Sequence, residues 1–338
     1  MRLTIREAHR LVADVMESFG HNETEAALIA DHLVDCELRG LGYGGLARAL
    51  SIAERFVRHG DHRRPIAILH ETPVSARIDG GDQIGYVVAH RATTIAIEKA
   101  QAAGIAVVGA SETWYTGMLS YYAEMAAAHG LVSVIASNAS PWIAPYGATE
   151  GRLGTNPICF GFPSDGDPVV FDTGTSAIMH AEVTLARRLG HDLPEGVAFD
   201  RDGQPTRDPA AALAGAFAVW GGHKGSGLAI AVQLLGILAG SAPVPPELAG
   251  FGYLVVAIRP DLMGPAETFR RNVTAFANAV RSARPLPGAL PVRMPFDRSS
   301  QERRKRLAEN VIEVPEAVVS ELIRLSRNHP AQPPISPR

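Results

Sequence analysis

The chain has 338 residues, enough for roughly two domains, and a formal net charge of -3 that leaves no electrostatic footprint for nucleic acid. Its 29 arginines and 3 lysines are scattered among 35 acids, and the sole basic run, Arg303-Arg304-Lys305-Arg306, reads as a solvated helix face. No stretch reaches about 18 uninterrupted apolar residues and the N-terminus begins polar, so a cytoplasmic protein without membrane contact is expected.

Thr4 with Glu7, and Asn22 with Glu25, are capping-box signatures ahead of apolar-periodic runs to Phe19 and Leu38. Two helices therefore open the chain, and a third is expected over 46–57. Strand-like runs follow at 66–70, 74–78, 105–110, 131–137, 157–162, 169–172 and 253–258. Helical patterns at 87–103 and 118–129 separate some of them, which predicts an α/β core with a mixed sheet. Residues 284–297 are rich in proline, and a closing helix is expected over 316–325. The division that results is a helical section over 1–70 packing with the C-terminal helix, an α/β core over 71–295, a helical segment over 296–328 and a loose tail over 329–338. Cys36 and Cys159 sit in apolar contexts as reduced thiols, and no His, Cys, Asp or Glu set has metal-ligand spacing, so no metal is expected.

Gly40-Leu41-Gly42-Tyr43-Gly44-Gly45 satisfies the spacing G-x-G-x-x-G of a dinucleotide fingerprint. That motif works by ending a strand and opening a helix around a pyrophosphate, yet the residues before it are helix-periodic. It reads instead as a helix-terminating turn in which Gly40 takes a left-handed conformation.

Two other glycine-rich segments carry the chemistry. Gly221-Gly222-His223-Lys224-Gly225-Ser226-Gly227-Leu228 places four glycines in seven residues around one of the three lysines, ahead of an apolar helix over 228–238. Glycines let a backbone approach a ligand, and unpaired N–H groups with a helix dipole favour an anion. The spacing is not that of a P-loop. The other segment is Leu153-Gly154-Thr155-Asn156-Pro157-Ile158.

Taken in order, Ala144-Pro145-Tyr146-Gly147, the Leu153 segment, Asp172-Thr173-Gly174-Thr175-Ser176 and the Lys224 segment resemble the malate/L-lactate dehydrogenase family that lacks a Rossmann fold. The resemblance runs from about residue 3 to about residue 297 and implies an α/β, non-Rossmann malate/L-lactate dehydrogenase-like fold with a mixed-sheet cofactor domain. It further implies a homodimeric oxidoreductase that uses NADPH or NADH on a small-molecule substrate. By that resemblance Asp172, Thr173, Gly174 and Ser176 bind the cofactor together with His223, Lys224 and Gly225, while Asn156 lines the nicotinamide region. A proline-glycine turn of the family is matched by Met294-Pro295-Phe296, so Pro295 is a further cofactor residue with phenylalanine in place of the glycine.

Two departures from the family pattern bear on catalysis. Members place Ser-His-Gly after the second helix, the histidine exchanging a proton with substrate; this chain has Tyr43-Gly44-Gly45. A second family histidine is replaced in Tyr115-Thr116-Gly117. Losing a general acid costs about 10²–10⁴ in rate. Three compensations are open: a substrate already protonated, as a cyclic imine carboxylate partly is; a proton from Tyr43 or Tyr115; or a proton from His180, two residues before Glu182, an acid where related reductases have an aspartate paired with the missing histidine. Residues two apart on a helix do not face each other, which argues against a direct His180–Glu182 pair if this segment is helical. Arg48, four residues past the missing histidine, suits a substrate carboxylate. Trp114, Tyr115, Tyr121 and Tyr122 could wall a pocket, at least two of them serving as core instead. The expected activity is reduction of a small cyclic imine carboxylate or 2-oxo acid; the competing expectation is a non-redox or catalytically altered ligand-binding protein on the same scaffold.

Overall fold

Both capping boxes are formed in the computed structural model, which describes residues 1–327; the segment 329–338, expected as a loose tail, lies outside the described residues. After a two-residue strand β1 (Arg2–Leu3), the Glu7 N–H donates to Thr4 Oγ1 at 3.2 Å and the Thr4 N–H to Glu7 Oε2 at 2.8 Å, opening α1 (Ile5–Ser18). Asn22 and Glu25 do the same for α2 (Glu23–Leu38). Each box satisfies N–H groups that no helix carbonyl reaches, which fixes the helix start. A single 3-10 turn, Gly42–Gly44, leads into α3 (Leu46–His59). Gly40 lies at φ 77° directly behind α2, and no strand precedes the G-x-G-x-x-G glycines, which form a helix-terminating turn. These elements and the described residues from Gln301 onward form one compact unit.

The second unit spans His62–Ser300. Its chain runs β2 (Ala67–Thr72), β3 (Ser75–Ile84), α4 (Gly85–Ala103), β4 (Ile105–Trp114), α5 (Leu119–Ala128), β5 (Val132–Ser137), β6 (Ile143–Ala144), β7 (Ile158–Phe162) and β8 (Val169–Thr173). It continues through α6 (His180–Leu189), β9 (Ala198–Phe199), α7 (Pro209–Ala214), β10 (Ala216–Ala218), α8 (Gly222–Leu238), β11 (Phe251–Ile258) and α9 (Ala266–Arg281). All seven runs read as strands from the sequence lie in one sheet, ordered β2-β3-β4-β11-β5-β7-β8. β3 and β4, joined by α4, are parallel and every other neighbouring pair is antiparallel. Alternate residues serve opposite faces. Ile135, Cys159, Tyr253 and Val255 pack in the main core with Ala92 of α4 and Tyr122 of α5, whereas Ala136 and Ile158 turn to Val232 and Leu228 of α8. A small sheet, β6-β10-β9, carries α6 and α7 beside it.

α10 (Asp297–Glu309) returns the chain to the first unit, where β12 (Ile312–Glu313) pairs antiparallel with β1 and α11 (Glu316–Arg327) packs on α1 and α3. The structure corrects two readings. Of the basic run, only Arg304 and Lys305 are exposed; Arg303 pairs with the buried Asp35, and Arg306 donates to the Glu37 carbonyl and to Glu302. The run therefore ties α10 to the end of α2. The glycine-rich segment is not a loop before a helix at 228: α8 begins at Gly222, so Gly225 and Gly227 are helical. α6 and α9 escaped the sequence reading because Met179 and Pro265 stand where a Ser, Thr, Asp or Asn cap would announce a helix. α7, signalled by Asp208-Pro209, is only six residues long.

Candidate active site

Three segments far apart in sequence are hydrogen-bonded to one another in the second unit. The Thr175 N–H donates to the Thr155 carbonyl at 2.9 Å, and the Trp220 N–H donates to the Thr175 carbonyl at 2.8 Å. The Asn156 amide donates from Nδ2 to the Ala229 carbonyl (2.8 Å) and to Gln233 Oε1 (3.0 Å), both on α8. The Leu153, Asp172 and Lys224 motifs thus make one continuous backbone patch. Asn156 is fully buried, at φ 35°, so its side chain positions the segment on α8 from within the core.

The start of α8 is built to leave its N–H groups available. Gly221 is the N-cap in a left-handed conformation and offers no side chain to the first turn. Gly225 is required because a Cβ there would overlap the Trp220 carbonyl. His223 and Lys224 are exposed on this turn, and the His223 ring meets Tyr146 edge-on at 6.1 Å. Ser226 Oγ accepts from the Tyr146 N–H at 3.2 Å, which draws the Ala144-Pro145-Tyr146-Gly147 segment to the same place. Tyr146 and Trp220, both exposed, were not singled out as site residues from the sequence; their placement beside Lys224 depends on the fold.

Asp172 and Ser176 face inward. Asp172 Oδ2 accepts the Ser120 N–H at 2.7 Å at the start of α5, and burial pushes its carboxyl up against the opposing pull of that bond. Ser176 Oγ donates to the Ile178 carbonyl at 2.6 Å. Gly174 sits where a Cβ would press Met179 Sδ at 2.7 Å, and Thr173 donates to the Gly174 carbonyl. Through Ser120 the patch reaches the turn holding Tyr115, which is 8% exposed, at φ 50°, and packed edge-on against Trp114. Trp114 and Tyr122 are fully buried core residues, the Tyr122 hydroxyl donating to the Thr116 carbonyl at 2.9 Å.

His180 is the first residue of α6 and stacks on the Trp142 indole, centroids 4.0 Å apart at 19°. Glu182 Oε2 accepts the Met179 N–H at 2.8 Å, so this acid caps α6. The Met294-Pro295-Phe296 turn keeps a glycine-type backbone without glycine: Phe296 lies at φ 75°. A left-handed phenylalanine costs about 1–2 kcal/mol, and packing of its ring on the main core offsets that strain.

Tyr43 and Arg48 belong to the first unit. Tyr43 sits in the Gly42–Gly44 turn, half-buried; Arg48 is 9% exposed in the first turn of α3, on the same helical face as the buried Ser51 and Arg55. Beneath the turn lies a carboxyl the sequence reading passed over. Glu37 is buried, its Oε1 accepts the Leu46 N–H at 2.8 Å, and burial pushes its pKa up to about 7 against the pull of that bond and of Arg306. An acid inside the apolar run of α2 was the available signal. His32 on the same helix is fully buried and pushed down to about 3, so it stays neutral. Burial also pushes the Cys36 thiol well up, leaving it inert. Among the described residues no group of His, Cys, Asp or Glu is arranged to hold a metal ion.

A family model described as malate/L-lactate dehydrogenase matches residues 3–323. An L-sulfolactate dehydrogenase of Methanothermobacter thermautotrophicus is 33% identical over 338 residues, 97% of each chain. A Delta(1)-pyrroline-2-carboxylate reductase of Ancylobacter novellus is 34% identical over 337 residues, 95% of this chain and 96% of its own. A dehydrogenase of known structure from Sinorhizobium meliloti superposes with a TM-score of 0.89 at 32% identity, covering 96% of this chain and 98% of that one.

Proposed function

The chain belongs to the malate/L-lactate dehydrogenase family, and from that premise we propose that it is an NAD(P)H-dependent reductase of small cyclic imine carboxylates, with 2-oxo acids as the second substrate class. The observation that carries the reading is Tyr43-Gly44-Gly45, where the resemblance leads one to expect Ser-His-Gly. Reducing a 2-oxo acid needs a hydride and a proton at oxygen, whereas an iminium carboxylate arrives with its proton and needs only hydride. The relative named as a pyrroline-2-carboxylate reductase supports the same choice.

The residues present fit a dinucleotide. The open N-terminal turn of α8 with exposed Lys224 and His223 suits its phosphates, and the segment 172–176, joined to that turn through Thr175 and Trp220, supplies the adjoining wall. The bound reduced nicotinamide supplies the hydride. Arg48 pairs its fork with the substrate carboxylate. Tyr43 or Tyr115 donates any proton the substrate lacks, with His180 as the remaining donor; a phenol of pKa about 10 must be tuned downward to serve as a base near neutrality. Asn156 positions its segment beside the nicotinamide, and Pro295 closes the cofactor site.

The protein acts as a cytoplasmic homodimer. Supporting the dimer is an apolar stripe on α8, where Ile230, Leu234 and Leu238 are 47%, 60% and 69% exposed at helical spacing. Supporting a reducing compartment are two buried free cysteines.

The test is titration of the purified protein with NADH and NADPH by nicotinamide fluorescence, alongside Lys224→Ala, followed by assays on Δ1-pyrroline-2-carboxylate and pyruvate. Micromolar binding is expected, weakened about 10–100-fold in the variant by loss of a charged contact, with the imine turned over faster. Efficient pyruvate reduction without imine turnover would sink the substrate assignment. No binding of either nucleotide would leave an altered ligand-binding protein on this scaffold.

A further inference from the structure

The turn Gly42–Gly44 and its follower Gly45 are shaped around one carboxyl. A Cβ on Gly45 would overlap the Glu37 carboxyl, and a Cβ on Gly42 would lie 3.4 Å from its Oε2. Glu37 therefore fills the space these glycines leave. The N-cap of α3 is Gly45, which has no side chain to bond the helix, and Glu37 Oε1 supplies the missing acceptor by taking the Leu46 N–H at 2.8 Å. A carboxylate at a helix N-terminus is favoured by the dipole and by the charge-assisted bond. Burial opposes the charge, and the two effects leave the group poised at about 7. Arg306 on α10 acts on it directly and donates to its carbonyl, and the neighbouring Cys36 feels Glu37 together with Asp35 on α2, the cap residue Arg39 and Arg48 on α3.

We infer that Glu37 is a positioning residue whose carboxylate pins the turn 42–45 to the start of α3, holding Tyr43 and Arg48 ready for substrate, and whose protonation loosens that turn. The inference rests on the reading of Arg48 as the carboxylate-binding residue. Glu37 is buried and acts through the Leu46 N–H, two residues before Arg48. The sign follows from its titration: the ionised, pinned form predominates above about 7 and is lost as pH falls through that value.

The experiment compares wild type, Glu37→Gln and Glu37→Asp with Δ1-pyrroline-2-carboxylate as the probe. Because the substrate itself titrates, the quantity read is the wild-type to Glu37→Gln ratio of kcat/KM at each pH. That ratio should rise about tenfold from about pH 6 to about pH 8, the change in ionised fraction of one group titrating near neutrality, and appear in KM. Glu37→Asp, which keeps a carboxylate, should restore the slope, and NADPH affinity should stay within about twofold in all three. Hydrogen exchange of residues 41–46 gives a readout free of activity: exchange about tenfold faster in Glu37→Gln at about pH 8, with the difference closing at about pH 6. A flat kcat/KM ratio with normal turnover would overturn the positioning role while leaving the reductase reading intact. Absence of nucleotide binding and of turnover would sink the reductase reading instead, and the exchange comparison would then decide on the pinned turn by itself. Equal exchange at both pH values overturns it.

Discussion

Gly44 is the position at which the proposed imine preference is tested most directly, and the backbone there is not committed to glycine. Its φ is not in the left-handed region, and a Cβ would meet Cys36 Sγ at 3.5 Å, an ordinary contact. Gly45, by contrast, has its side-chain space taken by Glu37. A Cβ is thus accommodated at position 44, whereas at 45 it requires the Glu37 side chain to move. We predict that Gly44→His folds normally and raises turnover of 2-oxo acids by about 10²–10⁴, the range for restoring a general acid, with a smaller gain on imines. Steady-state kinetics on pyruvate and pyrroline-2-carboxylate check this; equal gains on both would argue against proton supply as the difference. Phe296 shows the converse case, a side chain held on a left-handed backbone at φ 75° with its ring packed on the core.

At the level of elements, α8 joins the sheet to the candidate cofactor site. Its inner face packs Val232 and Leu228 on β5 and β7, while Gln233 and the Ala229 carbonyl hold Asn156. Its first turn lies under the Trp220 carbonyl, and that contact requires Gly225. Gly225→Ala is expected to lower stability by about 1–3 kcal/mol through overpacking and to weaken NADPH binding, although alanine is the better helix former. Thermal unfolding and fluorescence titration measure the two effects. A variant as stable as wild type would mean the turn repacks freely. The capping boxes behave differently, since Thr4 with Glu7 and Asn22 with Glu25 act within one turn and were legible as sequence.

For the whole molecule, the exposed stripe of Ile230, Leu234 and Leu238 bears on assembly. We predict that Leu234→Arg shifts the protein from dimer to monomer in sedimentation velocity without unfolding it, because a charge is tolerated in water but not in an apolar interface. A dimer unchanged in the variant would move the interface to another face. Local pattern determined much of this protein: the seven long strands, the capped helices, the dismissal of the dinucleotide fingerprint and the order of the glycine motifs depend on neighbours within a few residues. The tertiary structure alone decided that the 153, 172 and 221 segments share one backbone patch, that Arg303 and Arg306 turn inward to α2, and that Asp172 and Glu182 cap helices. It alone placed Glu37 beneath the Gly42–Gly44 turn. These outcomes depend on which groups lose water together, and a burial shared by residues distant in sequence leaves no periodic trace in the chain.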